Sequence, residues 1–220
     1  MSINVPDSLF RGSPEFVASY PFNDIAQNTG IVNFYAGSTN IGAARVNFLV
    51  ENTIQGGTAE NFGYTKTTGT YSFDTVPFKL PRTLLGTAYA TVRQWGYNTS
   101  SGTDGESTVT DIKLTQVHVG GGTSDITNEA DLLKVIHTPT TGLTQDSRVV
   151  VWNENTTPII IKKGEKIRLT LTMTEAGSNG SGGFCHNPAG TDSDALASGG
   201  EGVITNTQLV VSIPFRLNLP

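Results

Sequence analysis

The chain of 220 residues has one cysteine, Cys185, and only three histidines, His118, His137 and His186. A single thiol excludes an internal disulfide framework, and so small a stock of nitrogen and sulfur donors excludes a zinc module built on clustered Cys and His. Charge is scarce too. Asp, Glu, Lys and Arg make up 15% of the residues and the net charge is −5, a balance unsuited to holding nucleic acid by phosphate neutralisation. So low a charge content also argues against a coiled coil or helical bundle. No run of about 18 apolar residues offers a membrane-spanning helix. The opening MSINVPDSLFRGSPEF has no basic start followed by an apolar stretch, so no secretory signal is expected. These absences predict a protein that binds neither nucleic acid nor membrane.

What the chain does have is a two-residue apolar period. Near the C-terminus Leu209, Val211, Ile213, Phe215, Leu217 and Leu219 alternate with mostly polar neighbours, the pattern of a long half-buried strand. Ile167, Leu169, Leu171 and Met173 alternate in the same way after a tight turn at Lys162 to Glu165, where Gly164 supplies permissive backbone. Further strands are expected at 31–36, 44–50, 70–80, 86–97, 108–119 and 147–153. Only TNEADLLKVIHT has helix-start chemistry, and over 128–137 its short apolar run fits helix and strand equally. The expected fold is all-β: an antiparallel jelly-roll-like β-sandwich over 30–220, preceded by an extended arm at 1–29 marked by Pro6, Pro14 and Pro21. Residues 98–107 read as a polar hairpin tip and 176–202 as a long Gly/Ser-rich loop. Pro214 should place the last strand at a sheet edge or beside a bulge.

Chemistry-bearing constellations are sparse. Asp192 and Asp194, with Asp104 and Glu106 elsewhere, do not complete a calcium-loop pattern. Gly120 to Gly122 follow a strand but lack the Lys-Ser/Thr of a phosphate loop. No GxSxG elbow is present, and the serines concentrate in flexible tips. The expectation is no catalytic, cofactor or metal site, and no enzyme. Tyr89, Trp95 and Tyr97 share one parity, which reads first as core and, in the alternative, as a row that stacks on sugar rings. Trp95, Tyr97 and His186 are therefore candidates for a ligand surface. Phe10, Phe16, Tyr20 and Phe22 on the arm, with Pro214 and Arg216, are candidates for an assembly interface.

Four segments in order, PFKLPRTLLGTAYATV, IIIKKGEKIRLTLTMT, GFCHNPAG and TQLVVSIPFRLNLP, resemble a group of phage and other viral virion proteins. These carry a "kGe" turn, a loop around H-[DN]-P-A, here His186 to Ala189, and a final "IPF" strand. The resemblance implies a structural part of a virion, assembled in the host cytoplasm: a head decoration or minor capsid protein that contacts other capsid proteins and forms a homo-oligomer, with a trimer favoured. The alternative is a host-glycan-binding adhesin module on a fibre or tail. Asn187 stands where the group usually has aspartate. Few charges and many Thr, Ser, Asn and Gly residues independently suit large, neutral contacts between copies of the chain.

Overall fold

The computed structural model describes residues 29–41, 44–51, 64–65, 68–84, 86–98, 106–127, 133–136, 142–152, 158–176, 180–190 and 207–217. Among them there is no helix. The strands are β1 (Thr29–Ile41), β2 (Ala44–Val50), β3 (Tyr64–Thr65), β4 (Gly69–Thr75), β5 (Arg82–Leu84), β6 (Ala88–Asn98), β7 (Glu106–Val117), β8 (Thr123–Asp125), β9 (Leu133–Ile136), β10 (Gly142–Trp152), β11 (Ile159–Ile161), β12 (Lys166–Ala176), β13 (Gly180–Cys185) and β14 (Val210–Leu217).

They form one curled sheet along the path β3-β13-β6-β14-β1-β2-β4-β12-β7-β8, with β10 on the other edge of β6, β5 and β11 beside β14, and β9 beside β7. Every pairing is antiparallel except β2 with β4, where Phe48↔Asp74 and Leu49↔Thr75 run parallel. The expectation of a purely antiparallel sheet is thereby corrected. The curl folds one half of the sheet over the other around a shared core. Phe34, Leu49, Ala90, Val92, Val211, Ile213 and Phe215 from one half belong to the same buried cluster as Phe73, Ile112, Leu114, Leu169 and Leu171 from the other. Each such large side chain contributes about 1.5–3 kcal/mol when fully removed from water.

The two clearest alternations fall as their parity predicts. Ile167, Leu169, Leu171 and Met173 are fully buried, and so are Leu209, Val211 and Ile213, while Arg216 is exposed. A one-residue slip would exchange these faces, so burial itself pins the register.

One open alternative is decided and three local expectations are corrected. Within 128–137, which fits helix and strand equally, residues 133–136 form β9. Residues 180–185, inside the expected long loop, form β13, which pairs with β6 through Gly182↔Gly96 and Gly183↔Trp95. Its GSGGFC sequence has too few apolar side chains to show a period. β6 and β7 do not form a hairpin across 98–107: β6 joins β10, β13 and β14, whereas β7 joins β12, β8 and β9. Both edges of each strand are already taken, so the connection crosses between the halves. Finally, Pro214 is not on an edge strand. β14 has β1 along one side and, along the other, β6 as far as Ser212 and then β5 from Phe215. The proline sits at the break between two successive partners, where a missing N–H disrupts least.

Candidate functional site

Three features outside the general core are candidates: the end of the sheet closed by the HNPA loop, the network around Glu165, and the outward face bordered by β10.

His186 is completely buried, its ring centroid 5.6 Å from those of both Phe73 and Phe184. Arg45 Nη2 lies 2.9 Å from His186 Nε2 and donates to Ser38 Oγ at 3.0 Å. A guanidinium only donates, so Nε2 must be the accepting nitrogen and the imidazole is neutral. Burial first, and then the charge of Arg45, push the His186 pKa down to about 3. The following residues turn back over the sheet. Asn187 Oδ1 accepts from Ala189 N at 3.1 Å, the Asx-turn geometry, and Gln208 Nε2 donates to the Pro188 carbonyl at 2.9 Å. An amide oxygen fills this role as well as a carboxylate would, which accounts for Asn187. Pro188 closes onto the backbone of β1: a Cβ on Gly37 would stand 2.7 Å from Pro188 Cγ and 2.6 Å from the Phe48 ring. The loop is a plug in which His186, Asn187 and Pro188 are all buried and Ala189 is exposed, and His186 offers no ligand surface.

The turn at 162–165 is closed by Glu165 N donating to Lys162 O at 3.1 Å, with Gly164 at φ 86°. That positive φ suits glycine at the third position of the turn. The flanking strands do not pair with each other, since β11 joins β5 and β12 joins β4 and β7. Glu165 points inward and is 4% exposed. One carboxylate oxygen accepts from Gln116 Nε2 and from the Lys162 N–H, each at 2.6 Å, and the other lies 2.8 Å from His118 Nδ1. Burial alone would raise the Glu165 pKa, but the hydrogen bonds from His118, Lys162 and Gln116 outweigh it and hold the carboxyl below its ordinary range.

The third feature is the outward face of the sheet. Register aligns Val151 on β10 with Tyr89 on β6, and Tyr89 in turn with Ser212 on β14. Val149 aligns with Thr91, and Ile31 on β1 with Pro214. Val149 is 62% exposed, Val151 59%, Ile31 60% and Tyr89 37%. Among the described residues β10 pairs only with β6, over all eleven of its residues, so its other edge carries a row of backbone donors and acceptors without a ladder partner.

Of the residues singled out in the sequence, Trp95 is fully buried but stands outside the main apolar cluster, so it offers no open ligand surface. Tyr97 lies on β6 beside Leu143 of β10 and Ser181 of β13. Pro214 is half-buried on the outward face and Arg216 is exposed there. Phe10, Phe16, Tyr20 and Phe22 lie outside the described residues, as do Asp192, Asp194, Asp104 and His137. Among the described residues no cluster of three or more His, Cys, Asp or Glu could hold a metal ion. The edge of β10 and the Glu165 network were missed in the sequence. The first had a signal in the consecutive Val149, Val150 and Val151, too apolar for a strand with one wet face.

No protein-family model matches the chain, and no curated protein does. Solved structures with some likeness include an aminopeptidase from a marine sediment archaeon, Thaumarchaeota archaeon, with a TM-score of 0.43 and 10% identity over 67% of this chain and 26% of that one. An α-amino acid ester hydrolase gives 0.47 and 11%, over 84% of this chain and 36% of the other. A CocE/NonD family hydrolase from Staphylococcus aureus gives 0.39 and 8%, over 84% and 37%. The chain thus spans well under half the length of each. These structures are hydrolases, and with them the expectations of a capsid decoration or minor capsid protein, of a virion glycan adhesin and of a chain that is no enzyme are withdrawn. The activities in those names belong to those proteins.

Proposed function

We propose that this chain is a self-assembling β-module, pairing with a second copy of itself along the free edge of β10. The observation that carries the reading is an eleven-residue strand that, among the described residues, pairs on one side only and bears Val149 and Val151 on its exposed face. Long apolar edge strands are templates for pairing with another chain, and proteins that stay monomeric blunt them with charge, proline or a bulge. The described exposed positions of β10 are Ser147, Val149 and Val151, none of them charged. Two β10 edges set antiparallel form a two-fold contact in which each copy presents the same patch. The jelly-roll reading of the fold goes with this proposal, since a sheet curled around one core leaves a strand at its margin.

The test is light scattering over a wide concentration range, on the parent chain and on a Val149→Lys/Val151→Lys variant. Both side chains are exposed, so the fold should tolerate the change. A dimer that the double variant converts to monomer, with the same β circular dichroism and little effect of salt, is the expected result. A Val76→Lys control, at another exposed position, should remain dimeric. A parent chain that is monomeric throughout, or a trimer that survives both lysines, would overturn the proposal.

A further inference from the structure

Gln116 pairs in register with Ser124, which puts Ser124, Gln116 and His118 on one face of the β7–β8 hairpin. The hairpin is closed by His118 N donating to Gly122 O at 2.8 Å and Gly121 N to His118 O at 2.9 Å, with Gly121 at φ 87°. On that face the three side chains meet Glu165. Ser124 Oγ lies 2.8 Å from His118 Nε2, and His118 Nδ1 lies 2.8 Å from Glu165 Oε1. We infer that Ser124, His118 and Glu165 form a base-activated nucleophile that takes acyl groups from small activated esters.

The proton inventory fixes the direction of the relay. Glu165 is ionised at neutral pH and can only accept, so His118 donates from Nδ1. In the neutral imidazole Nε2 then holds the lone pair, and the Ser124 hydroxyl donates to it. This arrangement of hydroxyl, imidazole and buried carboxylate is the one that activates serine nucleophiles, and it is recognised by geometry rather than by chain order. Gln116 and the Lys162 N–H hold the carboxylate from its other oxygen, so its aim at His118 is fixed. Access is open: Ser124 is exposed, the His118 side chain is 38% exposed, and a Cβ built on Gly120 or Gly121 meets nothing within 4 Å. So open a position suits a small ester whose leaving group departs readily.

In the reaction Ser124 Oγ bonds to the ester carbonyl carbon while its proton passes to His118 Nε2. The bond from that carbon to the alcohol oxygen then breaks, and His118 Nε2 gives its proton to the leaving oxygen, or to solvent when the leaving group departs as a stable anion such as nitrophenolate. Water attacks the acyl-serine, releases the carboxylic acid and restores the hydroxyl. Ser124 and His118 are the catalytic residues; Glu165 is a positioning residue.

The experiment incubates the intact protein with 4-nitrophenyl acetate, follows nitrophenolate release against pH, and locates the acetyl group by peptide mass spectrometry. Expected are a release burst, an acetyl group on Ser124, and a loss of rate of about 10²-fold or more in Ser124→Ala and in His118→Ala. Ser124→Cys should retain acyl transfer, and Glu165→Gln should displace the pH profile, which a purely structural role would not do. Equal rates in the parent and Ser124→Ala, or acetylation confined to Lys162 and Lys163, would overturn the inference. So would a His118→Ala chain that melts at lower temperature yet still acetylates Ser124 at the parent rate, because the network would then be only a staple between the hairpin and the turn.

Discussion

His186 Nε2 and Arg45 Nη2 stand 2.9 Å apart at a point where the imidazole has no contact with solvent. A permanent cation directed at one ring nitrogen in a buried site keeps the ring neutral far below the pH at which a free histidine charges. The plug that closes this end of the sheet therefore depends on an uncharged histidine, and that dependence can be measured.

In the unfolded chain His186 takes up a proton below about pH 6.5. In the folded chain it does so only near pH 3. Between these values the unfolded state binds more protons, so stability falls as pH falls, by about 1.4 kcal/mol per unit from this residue, and the contribution is absent above the upper value. Urea midpoints measured from pH 7 to pH 4 should decline more steeply for the parent chain than for His186→Leu, which has nothing to titrate. Parallel declines would mean that the ring is solvated and charges normally.

Phe215 and Arg216 are adjacent on β14 but belong to opposite faces. The Phe215 ring packs edge-on against Phe34 at 6.2 Å and Phe78 at 6.1 Å, and the buried Arg82 guanidinium lies 5.4 Å from its centroid. Phe215→Ala should cost about 3–5 kcal/mol, from lost burial and the cavity left behind. Arg216→Ala should stay within about 0.5 kcal/mol. Urea melts of the two variants check this, and equal midpoints would contradict the register of the strand.

Cys185 is buried at the end of β13, and burial pushes its thiol up to about 12, with the charge of Arg93 opposing the shift only weakly. The thiolate is the reactive form, so the native protein should resist a disulfide exchange reagent at pH 8 and react promptly once urea unfolds it. Fast reaction of the folded chain would show that β13 opens to solvent.

Much of the fold was legible wherever a strand has one wet face and one dry one. The alternations from Ile167 to Met173 and from Leu209 to Phe215 name their buried sides because a two-residue period is local and a register slip would bury charge. The turn at Lys162 to Glu165 was legible for a similar reason, since Gly164 satisfies a backbone demand set by its nearest neighbours. Pairing was not legible in the same way. Nothing local to GSGGFC announces β13, because its place is decided by Gly96 and Trp95 on β6, more than eighty residues earlier in the chain. Nothing local to Pro214 says that one partner ends and another begins beside it. The candidate sites divide along the same line. A histidine in an H-N-P-A tetrapeptide is visible in the sequence, but whether it faces solvent or the core depends on Phe73, Phe184 and Arg45. Ser124, His118 and Glu165 carry no shared sequence signature. Only the pairing of β7 with both β8 and β12, through Gln116↔Ser124 and Lys166↔Val117, sets the Ser124 hydroxyl and the Glu165 carboxylate on either side of the His118 imidazole, each within hydrogen-bonding distance of it.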